Sequence, residues 1–466
     1  MVDLSAVSDI MKADRKERMI FMLKAGMSKR DITPPLGLPL VGYPHYTRAN
    51  EGAHDPLLSS VMYISNGECE TVLVTLDVLI FSKRHVAEIR RRVEKECGIP
   101  GKNIMISCTH THSGPLTFSP WDLESIVSGN TDQPWEYIED VISKTTEAIV
   151  EAKKNAFAAS FTSGAAMCGA ESGVGGNRRI PGGPHDPFVG VLAVKDETGR
   201  VRGMYVNYAL HPTFIHEWSN VCTSDYPYYV RLELEEQEKD IVVCFGQGAS
   251  GNQSSRYYRN GESYDEAERV GRAIGRAAHT VLDNAEWKTD MPIKVVSEEI
   301  EFVIREFASV EELEAQCAHD TAVYKELYAK YGDSENRDEY LLWQNANLKC
   351  LGSENQLQYA KLRMQGIRIP VVEEENPAEI QVIRLGDACV VGVPGENFVE
   401  YALYIKAMAG FKTVIYNELA NGALAGYLCT PESMVLGGYE TDTSWMDVQY
   451  GKNMVNKAIE LIENVK

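Results

Sequence analysis

The chain has 466 residues, 44% hydrophobic and 24% charged, an ordinary balance for a globular protein of two or three modules or one large layered domain. Its 46 basic and 67 acidic residues give a formal charge of −21, which excludes a general nucleic-acid surface, because phosphate binding needs clustered Lys and Arg. Ten cysteines form no CxxC pair and no window approaches the roughly 20 apolar residues of a membrane span, so neither a zinc knuckle, a disulfide framework nor an integral membrane segment is expected, and a reducing cytoplasm fits.

Residues 1–22 read as an amphipathic helical extension whose stretch 9–22 carries Lys12, Asp14, Arg15, Lys16, Glu17 and Arg18, too charged for a signal-peptide core. Ala25-Gly26-Met27 then leads into the turn-rich Asp31-Ile32-Thr33-Pro34-Pro35. Apolar and β-branched runs predict strands at 61–65, 72–79 and 104–108, and helical spacing predicts helices at about 83–97 and 135–155. Further strands are expected at 160–166, 189–194, 201–208 and 241–245. Residues 309–365 are polar and aromatic at helical spacing and read as an inserted helical pair, placing an insertion at about 305–370. Strands return over 379–393, followed by a helix over 397–408. The alternation has no clean βαβ period and no internal repeat stands out. The expected fold is therefore α/β, with two layered mixed β-sheets covered by helices, and residues 23–466 forming one catalytic body.

Chemistry concentrates in a few segments. Thr109-His110-Thr111-His112-Ser113-Gly114-Pro115 follows the apolar run Ile104–Cys108, so two histidines two residues apart point the same way where a strand runs out. Such imidazoles can share one metal ion, or one can bind metal while the other moves protons; they can also be purely structural. His211 stands in Leu210-His211-Pro212, just past a strand, and Glu396 in Pro394-Gly395-Glu396-Asn397, where a carboxylate opens a helix and is served by its dipole. The loop Phe245 to Ser255 is rich in Gly and Ser, so its backbone amides can approach a ligand closely, but it matches neither a P-loop nor the GxSxG elbow. Tyr427 and Tyr439 lie in glycine-rich loops. His45, His54 and His185 lie in loops and are candidates for a pocket lining or a second ion, against the plainer reading of surface residues.

In their order along the chain, from about Lys24 to Glu440, these segments resemble the neutral and alkaline, non-lysosomal ceramidase family of zinc-dependent amide hydrolases. The landmarks are Asp31-Ile32-Thr33-Pro34, His54-Asp55-Pro56-Leu57, the THTHSGP run, Asn177-Arg178-Arg179, Leu210-His211-Pro212, the glycine-serine loop, Pro394-Gly395-Glu396 and the two tyrosine loops. The resemblance implies His110, His211, Glu396 and Tyr427 as ligands of one catalytic Zn²⁺. It implies His112 as the proton-moving group, Arg178 and Tyr439 as oxyanion partners, and Ser254 as a residue that positions substrate or attacks it. Two imidazoles and a carboxylate suit zinc, which leaves a position for a water of pKa about 7.

The chain also departs from that pattern. Where sphingolipid ceramidases carry Gly-Asp-Val-Ser-Pro, it reads Gly251-Asn252-Gln253-Ser254-Ser255, and with 26 residues after Glu440 a counterpart of the β-sandwich domain those enzymes append is not expected. The expectation is a zinc-dependent hydrolase cleaving an N-acyl bond in a small or polar substrate rather than in membrane ceramide. Two alternatives remain open: metal-assisted lyase or isomerase chemistry on a sugar or polyol gripped by Arg178 and Arg179, and an inactive binding homologue. A homo-oligomer is also left open by the N-terminal extension and the insertion, whose surfaces are available to a second copy.

Overall fold

The computed structural model describes residues 23–43, 46–118, 134–334, 336–368, 370–424 and 426–466; the helical reading of residues 1–22 falls outside them. The first half of the chain runs β1 (Lys24–Asp31), β2 (Leu58–Ser65), β3 (Glu70–Leu76), α1 (Lys83–Cys97), β4 (Ile104–Cys108) and α2 (Trp135–Lys154). It continues with β5 (Phe157–Met167), β6 (Phe188–Asp196), β7 (Val201–Tyr208), α3 (Tyr226–Gln237), β8 (Val242–Gln247) and α4 (Tyr264–Thr280). Together these eight strands make one mixed sheet in the order β8-β7-β6-β5-β1-β2-β3-β4.

Each half of that sheet has the same wiring. Three consecutive strands pair antiparallel, then a helix crosses over to a fourth strand that lies parallel to the third: β1 to β4 with α1, and β5 to β8 with α3. A third unit follows in a second sheet. Here β9 (Ile293–Ile300) is separated by the helices α5 (Val310–Tyr331) and α6 (Arg337–Met364) from β10 (Ala378–Leu385) and β11 (Ala388–Gly392), which pair antiparallel. Then α7 (Val399–Ala409) crosses over to β12 (Thr413–Asn417), parallel to β11, and α8 (Gln449–Val465) closes the chain. The protein is thus built from three βββαβ units, each followed by a covering helix. No repeat is visible in the residues because what recurs is connectivity, not side chains.

Strand alternation sets the layers. In β2, β3 and β4 the residues Val61, Tyr63, Val72, Val74, Ile104 and Ile106 join Val86, Ile89, Val141 and Ile149 of α1 and α2 in one core. The intervening Met62, Ile64, Leu73 and Met105 join Ile383, Leu385, Val390 and Ile415 of the second sheet in another. The order of layers is helix, sheet, sheet, helix, as the expectation of two mixed sheets covered by helices requires. Period-3.6 spacing of Val86, Ile89 and Val93 fixes the buried face of α1, and Gly98 ends it in the left-handed conformation with its N–H on Glu94 O. Each such buried aliphatic contributes about 1.5–3 kcal/mol.

One strand was not expected. β1 was left unassigned ahead of a turn-rich segment, yet it is a central strand between β2 and β5. Its Gly26 belongs there because a Cβ would lie 1.8 Å from the carbonyl oxygen of Ala152, so α2 can pack on the sheet only over a glycine. The ten cysteines are all free, and no described helix is long and apolar enough to cross a membrane.

Candidate active site

In all three units the parallel strand pair ends on the same side, and the loops leaving those ends meet. From the first unit come Leu79, after β3, and His110 and His112, after β4; from the second, His211, after β7, and Ser250 to Ser254, after β8. The third unit supplies Glu396, after β11, and Tyr427, after β12. Glu396 was expected in the first turn of a helix; it sits instead in a two-residue strand, Glu396–Asn397, paired in parallel with Tyr427–Leu428, while α7 begins only at Val399. Strand pairing, not a helix dipole, holds this carboxylate, and it places Glu396 directly beside Tyr427.

The two histidines of the HxH run do share a focus, but not by strand alternation. β4 has already ended at Cys108, and His110 adopts φ 66°, the left-handed region that a residue with a side chain rarely occupies. Its N–H donates to Val78 O and its Nδ1–H to Leu79 O at 3.0 Å. His211 Nδ1 donates to Ser250 O at 3.0 Å, and His112 Nδ1 donates to Gly42 O at 2.8 Å. A carbonyl can only accept, so all three rings carry a proton on Nδ1 and turn Nε2 inward. Fixing one ring nitrogen on a backbone carbonyl so that the other is free is how metal-binding histidines are oriented.

Those nitrogens crowd one point. His110 Nε2 and His211 Nε2 are 3.1 Å apart, and Glu396 Oε2 lies 3.3 Å from the first and 3.5 Å from the second. The donor atoms of His110, His112 and His211 all fall within 4.8 Å of one another. Both Glu396 Oε2 and His112 Nε2 are buried without a hydrogen-bond partner among the described residues. Lone pairs brought this close repel unless a proton or a cation stands among them, and a metal cation satisfies all of them at once. Burial, helped by neighbouring positive groups, pushes His112 and His211 well below the ordinary imidazole value, so both are neutral at pH 7 and able to donate their lone pairs. The donor set therefore fits a zinc ion.

Around this point stand the other expected residues. Arg178 is buried, donates through Nε to Glu440 Oε1 at 2.8 Å and through Nη2 to Gly251 O at 2.8 Å, and lies over the Tyr427 ring at 5.4 Å. Burial opposes its charge, but Tyr427, Glu440 and Glu396 together raise its pKa above the arginine norm. Tyr439 packs edge-on against Tyr427 with centroids 6.0 Å apart, and burial pushes its phenol up to about 12. Ser254 pairs with Gly176 in a short strand, and its Oγ accepts the Arg256 N–H at 3.1 Å.

Two amides of the glycine-serine loop, whose amides were expected to approach a ligand, are engaged within the fold. Gly248 N donates to Tyr208 O and Gly251 N to Asn397 O. Arg179, paired with Arg178 as a grip for hydroxyls, donates instead to Glu440 and to the carbonyls of Ser433 and Gly437. His54 bonds Tyr229 Oη at 2.9 Å, and His185 donates to Gly183 O; neither lines the chambers described next, and His45 lies outside the described residues.

Two chambers meet at the site. The larger, about 130 Å³, is lined by His112, Arg178, His211, Ser254, Tyr427 and Tyr439 on one side, and by Tyr340, Gln344, Asn347, Leu348 and Leu351 of α6 on the other. The smaller, about 70 Å³, is lined by His110, His112, Glu396, Tyr427, Tyr439 and the stacked pair Tyr359 and Trp445. All eight site residues expected from sequence thus border one or both chambers. Sequence reasoning missed Gly42, Arg256 and Glu418. Glu418 is a buried carboxylate that accepts Ser250 Oγ–H at 2.5 Å and Asn397 N–H at 2.7 Å, tying the His211 and Glu396 loops together from behind. Its only signal was an acidic residue closing the apolar strand β12.

Residues 23–170 match the family described as neutral/alkaline non-lysosomal ceramidase, N-terminal. The chain is 22% identical to the neutral ceramidase of Pseudomonas aeruginosa over 510 aligned positions, covering 94% of this chain and 72% of that one. It is 24% identical to neutral ceramidase B of Dictyostelium discoideum over 244, covering 46% of this chain and 33% of that protein. The crystal structure of the Pseudomonas aeruginosa enzyme superposes with a TM-score of 0.72 over 96% of this chain and 75% of that one at 18% identity, which shows a shared fold. A ceramidase complexed with C2 superposes with a TM-score of 0.70 at 17% identity, over 96% of this chain and 76% of that one. The chain is thus similar in sequence to the neutral/alkaline non-lysosomal ceramidases, through the family match over residues 23–170, and shares their fold.

Proposed function

We propose that the protein is a zinc-dependent amidohydrolase that cleaves the N-acyl bond of a small, polar substrate. The observation that carries this reading is the convergence of the Nε2 atoms of His110 and His211 with the unpartnered Oε2 of Glu396. These three, with Tyr427 beside Glu396, would hold the metal. A zinc ion there supplies Lewis acidity, polarising a carbonyl and letting water ionise near neutral pH.

The chain's own residues supply the rest. His112 is neutral, fixed through Nδ1 and open at Nε2 to both chambers, which suits a general base that takes a proton from water and returns it to the leaving amine. Water's oxygen then bonds to the acyl carbon, the C–N bond breaks, and acid and amine leave. Arg178 and the Tyr439 phenol, protonated throughout the physiological range, are suited to charge developing on the carbonyl oxygen. Ser254 borders the same chamber and is held by the Arg256 N–H, a position that suits contact with substrate.

The chambers support the choice of substrate class. The smaller has room for only a few heavy atoms, which suits a short acyl group, and the larger sets arginines, glutamates and side-chain amides among tyrosines and leucines. The test is hydrolysis of a graded series of N-acyl compounds, from long-chain ceramide to acetylated amines, with and without a chelator. Chelator-sensitive release of acid and amine, fastest for short acyl groups, is expected. Faster turnover of long-chain ceramide would overturn the substrate class, and no release at all from zinc-loaded protein would overturn the amidohydrolase reading.

A further inference from the structure

The larger chamber and its outer vestibule are lined by six glutamate or arginine side chains, Arg178, Glu217, Arg256, Arg259, Glu262 and Arg337. Arg178 and Arg179 share Glu440, and Arg178 also holds Gly251 O. Arg259 donates to Glu262, while Glu262 also accepts from Tyr340. Arg337, at the outer edge, donates to the carbonyls of Arg256 and Arg259. Glu217 pairs with His216. One guanidinium is left without a partner. Arg256 lines both the chamber and the vestibule, and its guanidinium makes no ion pair or hydrogen bond with any described residue.

That cation sits in an unfavourable place for a free charge. Burial, with Arg178 next, lowers its pKa below the arginine norm, and Glu440, the carboxylate that opposes this, is already engaged by two other guanidiniums. In a protein with a formal charge of −21, a locally positive cavity wall is not a by-product of composition. A planar fork of N–H donors in a partly dehydrated cavity is the partner that a carboxylate matches in a bidentate way. A single unsatisfied cation, with Glu217 and Glu262 on the same lining, suits a monoanion better than a phosphate dianion. Arg256 lines the same chamber as His112, Arg178 and Ser254, so an anion held there shares that chamber with the groups assigned to the chemistry.

We infer that Arg256 binds a carboxylate of the substrate, and that the substrate class is N-acyl amino acids: the acyl group enters the smaller chamber, and the amino-acid carboxylate reaches Arg256 in the larger. This rests on the amidohydrolase reading above. Hydrolysis consumes one water and yields the short carboxylic acid and the free amino acid. Gln344 and Asn347 on α6 face the same space as amide donors and acceptors for the amino-acid side chain.

The experiment compares N-acetyl amino acids with their primary amides, pair by pair across the common side chains, using zinc-loaded protein. The wild type is expected to prefer the carboxylate member of its best pair by about 10- to 100-fold in kcat/KM, the range for a lost charge-assisted hydrogen bond. In Arg256→Ala the preference falls below about threefold, chiefly through KM, whereas Arg256→Lys, which keeps the charge but not the fork, retains part of it. Equal or better turnover of the amides by wild type, or a preference that survives Arg256→Ala, overturns the assignment while leaving the hydrolase reading intact. If neither member of any pair is cleaved, the hydrolase reading fails first. Calorimetric binding of the N-acetyl amino acids then decides the carboxylate site: binding lost in Arg256→Ala upholds it, and no binding to wild type overturns it.

Discussion

The strand-end loops and the inserted helices border the same cavity but are built on opposite terms. The loops after β3, β4, β7, β8, β11 and β12 are buried, and their side chains are fixed by carbonyls and by paired short strands. The insertion α5 and α6 has few buried residues over its length and reaches the cavity with one helical face, Tyr340, Gln344, Asn347 and Leu351 at spacings of three and four. The difference teaches a division of labour. Groups that need sub-ångström placement come from the rigid ends of parallel strands, and groups that shape the cavity come from a segment added between β9 and β10, where change costs the core little.

That division can be broken from the rigid side first. Arg178→Met should lower kcat by about 10²- to 10³-fold, the usual cost of removing an oxyanion donor, while bound zinc measured by elemental analysis stays near wild type. A parallel loss of zinc would mean that Arg178 instead holds the ligand loops together. A smaller effect is expected from Gly42→Ala. A Cβ there, at a backbone φ of 105°, would lie 2.7 Å from three atoms of His112, so the ring must move. Displacement of a catalytic group by about 1 Å costs up to 10²-fold, so kcat should fall about 10- to 100-fold with zinc retained. An unchanged kcat would remove His112 from the chemistry.

The insertion should answer differently. Gln344→Ala on α6 removes a cavity-facing amide whose described bond is to Tyr340 Oη at 3.0 Å. A several-fold rise in KM with kcat within about twofold is expected, from the roughly 1 kcal/mol net worth of a neutral hydrogen bond. Equal losses in kcat and kcat/KM would place α6 in the reacting centre and erase the contrast.

The two regions were also unequally legible. Helix α1 was found to the residue, since Val86, Ile89 and Val93 give its period and Gly98 its end. The residues that converge on the candidate site were legible because His, Glu and Tyr in loops after apolar runs have few structural reasons to be there, and their order along the chain matched a known pattern. The means of placing them were not legible. The left-handed backbone at His110, the short strand that pairs Glu396 with Tyr427, and the hidden carboxylate of Glu418 all depend on segments distant in sequence. Strand β1 was left unassigned because Gly26 and the charged Lys24, Lys29 and Arg30 give no apolar run, and only the packing of α2 explains the glycine. The threefold unit escaped for a related reason, since connectivity leaves no periodic trace in residue type.

The most direct test of the central claim is the zinc content of purified wild type and His110→Ala after identical loading and exhaustive dialysis, measured beside chelator-sensitive hydrolysis of an N-acyl substrate. The account predicts one tightly held zinc per wild-type chain, with both the zinc and at least 10³-fold of the activity lost in the variant. A His110→Ala protein that keeps its full zinc complement, or a wild type that turns over undiminished without metal, would contradict it.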